Sequence, residues 1–297
     1  MSDTQVIGFG EYSAQGKGLA RALGVSFTEA EIHIFPDGEH KLRLPTPLAA
    51  HVIFCRSLND PDHKLIELLL AAACARDNGA KQLTLLAPYL AYMRQDIAFH
   101  PGEAISQRII GALLAQTFDA VITVDAHLHR IDHLSQAIPL PHAINCSATR
   151  AMGEFITRAC PAALLLGPDG ESAQWVAAVA EAAGGLDFGV ATKIRRGDHD
   201  VSIDMPTLDF QSRQVVLVDD VASTGRTLAL AARQARDAGA AATHCLVTHG
   251  LFMGDALTQL KDAGIDKVWS TDSVPHASNC ITLAGLLADA VKQITQP

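Results

Sequence analysis

The sequence is short of aromatic residues, of basic residues relative to acidic ones, and of long apolar runs. Phe, Trp and Tyr make up 5% of the 297 residues, and 23 Lys and Arg stand against 32 Asp and Glu, for a net charge of −9. This acidic balance argues against a broad nucleic-acid-binding surface, although a small anionic ligand needs only a few local donors. No apolar run approaches the thickness of a bilayer, and the first residues do not have the pattern of a signal peptide.

The six cysteines are scattered along the chain and form no Cys-x-x-Cys pair. This spacing disfavours disulfides and a thiolate zinc site, and it favours buried free thiols in a reducing cytoplasm. A Walker A loop is also missing. The nearest stretch, GEYSAQGKG at residues 10–18, has the wrong spacing and lacks the final hydroxyl, and it predicts the start of a helix.

What the chain does have is an alternation of short apolar runs with amphipathic segments, which predicts an α/β fold with mostly parallel sheets flanked by helices. Strands are expected at residues 6–9, 32–35, 51–55, 83–87, 121–124, 163–167, 188–192, 215–218, 243–248 and 267–270. Helices are expected at residues 64–77, 105–117, 172–183 and 227–238. The series restarts after Pro139 and Pro141, so we predict two similar domains, 1–144 and 145–280. A terminal helix follows in 281–297, and packing back on the N-terminal domain is one possible arrangement for it.

One stretch, VVLVDDVASTGRT at residues 215–227, joins an apolar strand to a helix through two acids and a loop rich in hydroxyls. Ligands of open α/β sheets bind beyond the carboxyl ends of the strands, where helix N-termini attract anions. Asp219 and Asp220 stand where the strand is expected to end, and Gly225 allows the backbone to come close to a ligand. A simple helix cap plus a surface acid is the alternative, which the hydroxyl loop that follows makes the weaker one.

This loop resembles the ribose-phosphate signature of the phosphoribosyltransferase fold. By that resemblance the acids Asp219 and Asp220 face the ribose hydroxyls. The 5-phosphate is then held by the loop residues, which are Ser223, Thr224, Gly225, Arg226 and Thr227. Arg226 stands where many members of the fold have glycine.

Further motifs in the first half narrow the resemblance. They are IFPDGEHKLRL (34–44), PYLAYMRQD (88–96), GEAISQRIIGALL (102–114) and VDAHLHR (124–130), followed by LLGPDGES (165–172) and TKIRRGDHDVSI (192–203). Their order, together with VTHGLF and STDSVPH near the end, resembles the ribose-phosphate diphosphokinases, or phosphoribosyl diphosphate (PRPP) synthetases, with archaeal-like variants. The resemblance extends from about Glu31 to Pro275.

The resemblance implies an enzyme that transfers the diphosphoryl group of ATP to the anomeric hydroxyl of ribose 5-phosphate and releases AMP. It makes 1–144 the ATP-side domain and 145–280 the ribose 5-phosphate-binding domain. The residues implied in ATP binding are Phe35, Asp37, Glu39, Arg94, Gln95 and Asp96, the first three reaching the site of a neighbouring subunit. Lys193 and Arg195 are implied as catalytic residues on a mobile loop. The resemblance also implies a homodimer or higher homo-oligomer in the cytoplasm.

Magnesium is the implied cofactor, since it prefers oxygen ligands such as those of ATP. By resemblance His127 and Asp169 are the metal residues. The alternatives for His127 are a hydrogen-bonded loop histidine and, with His129 and His133, a zinc site of non-standard spacing.

Other interpretations stay open from the sequence. Lys193, Arg195 and Arg196 form a basic run that could be a solvated hairpin. A phosphoribosyltransferase that consumes PRPP would leave the motifs of the first half without a role. A non-catalytic regulatory paralogue is expected to have lost the loop cations, whereas Lys193 and Arg195 are both present.

Overall fold

The computed structural model describes residues 3–128, 130–195 and 201–295, and the side chains of residues 193–195 and 201–203 fall outside that description. The described chain forms two compact units. Unit 1 comprises Met1–Cys146 and Ala284–Pro297, and unit 2 comprises Ser147–Leu283. No helix among the described residues has the length and apolar character needed to cross a membrane.

Unit 1 contains a parallel sheet of six strands. Its strands and helices in chain order are β1 (Thr4–Gly8), α1 (Ser13–Leu23), β2 (Ser26–Glu29), β3 (Glu31–Ile34), β4 (His40–Arg43), β5 (His51–Cys55), α2 (Pro61–Asp77), β6 (Gln82–Leu86), α3 (Ser106–Thr117), β7 (Ala120–Val124) and β8 (His142–Cys146). The sheet order is β2-β1-β5-β6-β7-β8, while β3 and β4 form a separate antiparallel hairpin. The central strands β5 and β7 are buried along their whole length, as expected for strands covered by helices on both faces.

Unit 2 repeats this plan. Its elements are α4 (Thr149–Ala159), β9 (Leu164–Gly167), α5 (Ala173–Ala182), β10 (Phe188–Val190), β11 (Thr192–Arg195), β12 (Val201–Asp204), β13 (Gln214–Ala222), α6 (Arg226–Asp237), β14 (Ala242–Gly250), α7 (Ala256–Asp262), β15 (Ile265–Thr271) and β16 (Asn279–Ile281). The parallel sheet has the order β10-β9-β13-β14-β15-β16, and β11 pairs with β12 in a hairpin. The last helix of the chain, α8 (Ala284–Thr295), belongs to unit 1 and contacts α1.

The two sheets have the same connectivity. Counting only sheet strands, each has its second strand at one edge, followed by the first, third, fourth, fifth and sixth. In both units an antiparallel hairpin stands between the second and third of these strands. The predicted pair of similar α/β domains with parallel sheets is therefore confirmed.

Three of the predicted strands differ from the structure in a way that bears on the site. Residues 32–35 were expected as a sheet strand but lie largely in β3, which leaves the sheet to pair with β4. Residues 188–192 were expected as one strand but divide between β10 and β11. The strand predicted to end before Asp219 continues to Ala222, because its neighbour β14 also continues and pairs His249 with Val221 and Gly250 with Ala222. The two acids thus lie within a strand rather than after it.

Candidate active site

In unit 2 the binding position predicted by strand order is the crevice between β9 and β13. The chain leaves β9 toward one edge of the sheet and returns to build the other side from β13, so the strand order reverses between these two neighbours. Crevices at such reversals, outside the carboxyl ends of the strands, are where open α/β sheets bind ligands. Asp169 follows β9, and the acids and hydroxyls of residues 219–227 occupy the end of β13 and the loop beyond it.

The loop after β13 surrounds a small concave space. A cavity of about 120 Å³ is lined by Asp219, residues 221–227 and Leu228. Gly225 adopts a left-handed conformation (φ 73°) as the residue that precedes α6. The first amide groups of a helix have no partner within the helix, so the N-terminus of α6 provides donors and a positive dipole beside this cavity.

The strand next to the loop holds it in place. Leu251 and Phe252 donate backbone hydrogen bonds to the carbonyl of Ala222 (3.0 and 2.9 Å), and Met253 donates to the carbonyl of Ser223 (2.9 Å). Behind them, the buried ring of His249 hydrogen-bonds the Ser273 hydroxyl at 2.9 Å. The two late motifs VTHGLF and STDSVPH therefore meet beneath the loop. Neither motif was expected to have this role from its sequence.

Three carboxylates interact at this position. Asp220 is buried, and Asp219 lies beside it and beside Asp169. Burial, and then the negative charges of Asp220 and Asp169, raise the pKa of Asp219 well above its ordinary value. Asp169 also caps a short 3₁₀ turn by accepting a hydrogen bond from the amide of Glu171 at 3.1 Å. A site with this charge is suited to a cation or to the hydroxyls of a sugar.

Arg226 is exposed at the first position of α6 and, among the described residues, is the one basic residue that lines the cavity. Its position places a guanidinium on the same rim as the hydroxyls of Thr224 and Thr227.

The residues expected on the nucleotide side all fall in unit 1, in two groups. Arg94, Gln95 and Asp96 lie in the loop after β6, and His127 lies in the loop after the neighbouring strand β7. Arg130 joins the two loops by donating to the carboxylate of Asp96 at 2.7 Å. The Asp96 side chain is 3% exposed, so this ion pair connects the two loops at a buried position. Arg94 is exposed and Gln95 is half-buried.

The second group is the turn between β3 and β4. Phe35 donates to the carbonyl of Glu39 at 2.8 Å, and Gly38 donates to the carbonyl of Phe35 at 2.9 Å. The Phe35 side chain is exposed beside the even more exposed Ile34. Within the described part of the chain, no hydrogen bond or ion pair joins this turn to Arg94, Gln95 or Asp96. The two nucleotide-side groups are therefore not bonded to each other within the described part of the chain.

The remaining predicted residues are only partly described. The backbones of Lys193 and Arg195 form β11 of the second hairpin, but their side chains lie outside the described part of the chain, as does all of Arg196 and His129. His127 is half-buried. No group of three or more His, Cys, Asp or Glu residues suited to a metal occurs among the described residues, and His129 of the zinc alternative lies outside them.

Sequence comparison extends these observations over nearly the whole chain. A profile of the N-terminal domain of ribose phosphate pyrophosphokinase matches residues 5–117, and a profile of a phosphoribosyl synthetase-associated domain matches residues 205–296. The ribose-phosphate pyrophosphokinase of Methanopyrus kandleri is 34% identical over 94% of this chain and 96% of its own length. The chain belongs to the ribose-phosphate pyrophosphokinase family. The enzyme of that name from Methanosarcina acetivorans is 33% identical over 93% of this chain and 94% of its own.

As a ribose-phosphate pyrophosphokinase family member, the chain is an enzyme of the transferase class. The crystal structure of phosphoribosylpyrophosphate synthetase from Mycobacterium smegmatis superimposes with a TM-score of 0.83 over 99% of both chains, at 21% identity, and shows the same fold of two phosphoribosyltransferase-type domains. The family predicted from the motifs is thereby confirmed.

One further set of residues was not predicted to have a role, although two of them lie in the segment NDPDHKLIELLL (59–70), which resembles a motif of the family. Arg56, Lys64 and Glu67 are charged yet almost completely buried, in and beside α2 of unit 1. The signal that could have found them is their placement. Arg56 directly follows the apolar strand β5, and Lys64 and Glu67 are spaced three apart within an apolar helix, on the same face.

Proposed function

We propose that the enzyme transfers the diphosphoryl group of ATP to the anomeric hydroxyl of ribose 5-phosphate, producing PRPP and AMP, with Mg²⁺ as its cofactor. The main support for the proposal is the position of Asp219 and Asp220 beside a loop of hydroxyl residues and a helix N-terminus. These groups lie where the strand order of unit 2 reverses, in a chain of this family. Carboxylates accept hydrogen bonds from a diol, and amides and hydroxyls donate to a phosphate.

Ribose 5-phosphate binding is divided between these groups. Thr224, Thr227 and the amides at the start of α6 bind the 5-phosphate, and Asp219 and Asp220 bind the ribose hydroxyls. Ser223 and Gly225 shape the loop, and Arg226 adds positive charge at its rim. The backbone bonds from residues 251–253 keep the loop rigid, so that the hydroxyl that attacks is held in a fixed place.

The crevice offers carboxylate oxygens, the donors that magnesium prefers, although the described residues form no cluster of three side chains that would hold the ion by themselves. Burial raises the pKa of Asp219, and the charges of Asp220 and Asp169 raise it further, so a magnesium ion that arrives with ATP would be favoured beside these acids. When bound with ATP, magnesium supplies neutralisation of charge on the phosphoryl oxygens. His127 offers a nitrogen, which this ion prefers less, and its assignment rests on the resemblance of its motif.

On the nucleotide side, Arg94, Gln95 and Asp96 are proposed to bind ATP together with Phe35, Asp37 and Glu39 of a neighbouring subunit. The exposed aromatic ring of Phe35 and the absence of bonds between the two groups within the described chain support a homodimer or larger assembly. Lys193 and Arg195 are proposed to stabilise charge on the transferred group. All six cysteines are free thiols, which supports a cytoplasmic location.

The product assay tests the reaction directly. The full-length protein is incubated with ATP, ribose 5-phosphate and Mg²⁺, and nucleotides and PRPP are quantified by chromatography. Equal amounts of AMP and PRPP are expected. ADP as the nucleotide product would refute diphosphoryl transfer, and release of diphosphate from PRPP plus a free base would favour a phosphoribosyltransferase instead. Sedimentation of the same preparation tests the assembly, and a monomer that is fully active would refute a shared ATP site.

A further inference from the structure

Unit 1 has a crevice that corresponds in strand order to the ligand crevice of unit 2, between β1 and β5. In unit 1 this position is filled by the chain's own charges. Arg56, directly after β5, donates from Nε to Glu11 at 2.6 Å, and its guanidinium lies 4.2 Å from the ring centre of Phe9. The Arg56 side chain is 2% exposed.

The loop after β5 is also bonded inward. Lys64 donates from Nζ to the carbonyl of Ser57 at 2.9 Å and to the side chain of Asn59 at 3.0 Å. Burial lowers the pKa of Lys64. Where the loop of unit 2 borders an open cavity, the corresponding loop of unit 1 is hydrogen-bonded to a lysine of the following helix.

Glu67 connects this filled crevice to the hairpin of β3 and β4. One of its carboxylate oxygens is paired with Arg56, and the other is bound by Nδ1 of His40. The Glu67 side chain is 3% exposed and that of His40 14%. His40 is the first residue of β4, directly after the turn that carries Phe35, Asp37 and Glu39.

The hairpin has few other attachments near this turn. Its two strands pair only with each other. His40 pairs with Ile34, which is exposed, and the hairpin residues that pack on the apolar core, Ile32 and Leu42, lie two pairs farther from the turn. The bond from His40 to Glu67 is thus the described anchor of the hairpin closest to the turn.

We propose that His40 is a positioning residue for nucleotide binding, which fixes the turn of Phe35, Asp37 and Glu39 through Glu67 and Arg56. Unit 1 thus uses the crevice that corresponds to the proposed ribose phosphate site of unit 2 to hold the Arg56–Glu67 pair to which His40 is bonded. The inference rests on the proposed function, in that the turn contacts ATP.

His40 can be changed without leaving a buried charge unpaired. Without it, Glu67 keeps Arg56, and Arg56 keeps Glu11. Changing Glu67 or Arg56 would instead leave a buried ion unpaired and destabilise unit 1 strongly. His40→Ala is therefore the informative variant, and His40→Asn is its rescue, because the asparagine amide places a donor near the position of Nδ1. Lys41→Ala is the matched control, since Lys41 is the next residue of β4 and is exposed.

The experiment compares these full-length variants with the unaltered protein in three measurements. These are the Kd of ATP by titration calorimetry without ribose 5-phosphate, the KM of each substrate with kcat, and amide hydrogen exchange at Phe35 and Gly38. For His40→Ala we expect the Kd and KM of ATP to rise about tenfold, the size of one charge-assisted hydrogen bond. Exchange in the turn is expected to accelerate and the melting temperature to fall by no more than a few degrees, since one buried hydrogen bond is lost, while the KM of ribose 5-phosphate stays unchanged. His40→Asn is expected to restore ATP affinity, and Lys41→Ala to leave every value as it is.

Unchanged exchange in the turn of His40→Ala would overturn the positioning role, as would an equal rise in both KM values. Failure of the proposed function is a separate result. It would appear in the unaltered protein as no AMP formed from ATP, while faster exchange in His40→Ala would still establish that the residue anchors the turn.

Discussion

Gly225 allows the geometry of the proposed phosphate loop to be tested by a single methyl group. Its left-handed backbone (φ 73°) is a conformation that costs alanine about 1 kcal/mol relative to glycine. A Cβ at this position would also lie 3.3 Å from Cγ of Leu260, within the buried core of unit 2. Crowding of that kind adds about 1–2 kcal/mol. Gly225→Ala is therefore expected to lower the free energy of unfolding by about 2–3 kcal/mol.

Gly185 provides the matched control. It is also in unit 2, its φ is 84°, and a Cβ there would meet nothing within 4 Å. Gly185→Ala should cost only the backbone part, about 1 kcal/mol, so the difference between the variants measures the contact with Leu260. Denaturant titration gives both free energies, and in thermal unfolding each kcal/mol corresponds to about 2–4 °C.

Activity separates the two variants further. Displacement of the loop amides by the new methyl group is expected to raise the KM of ribose 5-phosphate about tenfold or more in Gly225→Ala and to leave it unchanged in Gly185→Ala. Equal stability of the two variants would show that Leu260 yields without cost. An unchanged KM in Gly225→Ala would refute the assignment of the loop to the 5-phosphate.

Three other predictions concern the acids of unit 2, the hairpin of β11 and β12, and the loops after β6 and β7. Because the pKa of Asp219 is raised, unliganded unit 2 is expected to lose stability as the pH rises above the ordinary value of 3.8 and through the raised pKa. Asp219→Asn should weaken this pH dependence in melting curves and abolish synthesis of PRPP, and an unaltered pH profile would contradict the argument. Lys193→Ala and Arg195→Ala should lower kcat far more than they raise the Kd of ribose 5-phosphate, as measured by turnover and titration, whereas equal losses would indicate a structural role. Arg130→Gln leaves the buried carboxylate of Asp96 without its ion pair and should lower the free energy of unfolding by about 1–2 kcal/mol in denaturant titration. The loss is limited because the arginine is half-exposed. An unchanged free energy of unfolding would show that this ion pair does not stabilise the two loops.

The sequence predicted the buried parts of the fold well, because those parts have the clearest pattern. The predicted strand 51–55 agrees with β5 at both ends, and the predicted helix 105–117 differs from α3 by one residue. The strands that were missed are short or at the edges of the sheets. In β2 (Ser26–Glu29) and β8 (His142–Cys146) no residue is buried, so neither shows the apolar run of a central strand.

The sequence predicted the part of the site whose residues are consecutive in the chain. The acids and hydroxyls of 219–227 are consecutive residues, and one strand–loop–helix connection brings them together. The partnership of Asp96 with Arg130, and that of His40 with Glu67 and Arg56, join residues more than ten positions apart. Such pairs depend on which strands are neighbours and on which face of α2 is buried, and neither follows from a local pattern.

The two crevices differ in how their charged side chains are compensated. The crevice of unit 1 is neutralised from within, by ion pairs that exist whether or not a substrate is present. In the crevice of unit 2, burial and the neighbouring carboxylates Asp220 and Asp169 raise the pKa of Asp219, so a bound cation or sugar hydroxyl would favour its charged form. A ligand that binds the folded state alone stabilises it in proportion to the logarithm of its concentration. The half proposed to carry the sugar site is accordingly the one whose resistance to unfolding is expected to follow the supply of sugar phosphate, whereas the buried ion pairs in the crevice of unit 1 do not depend on that supply.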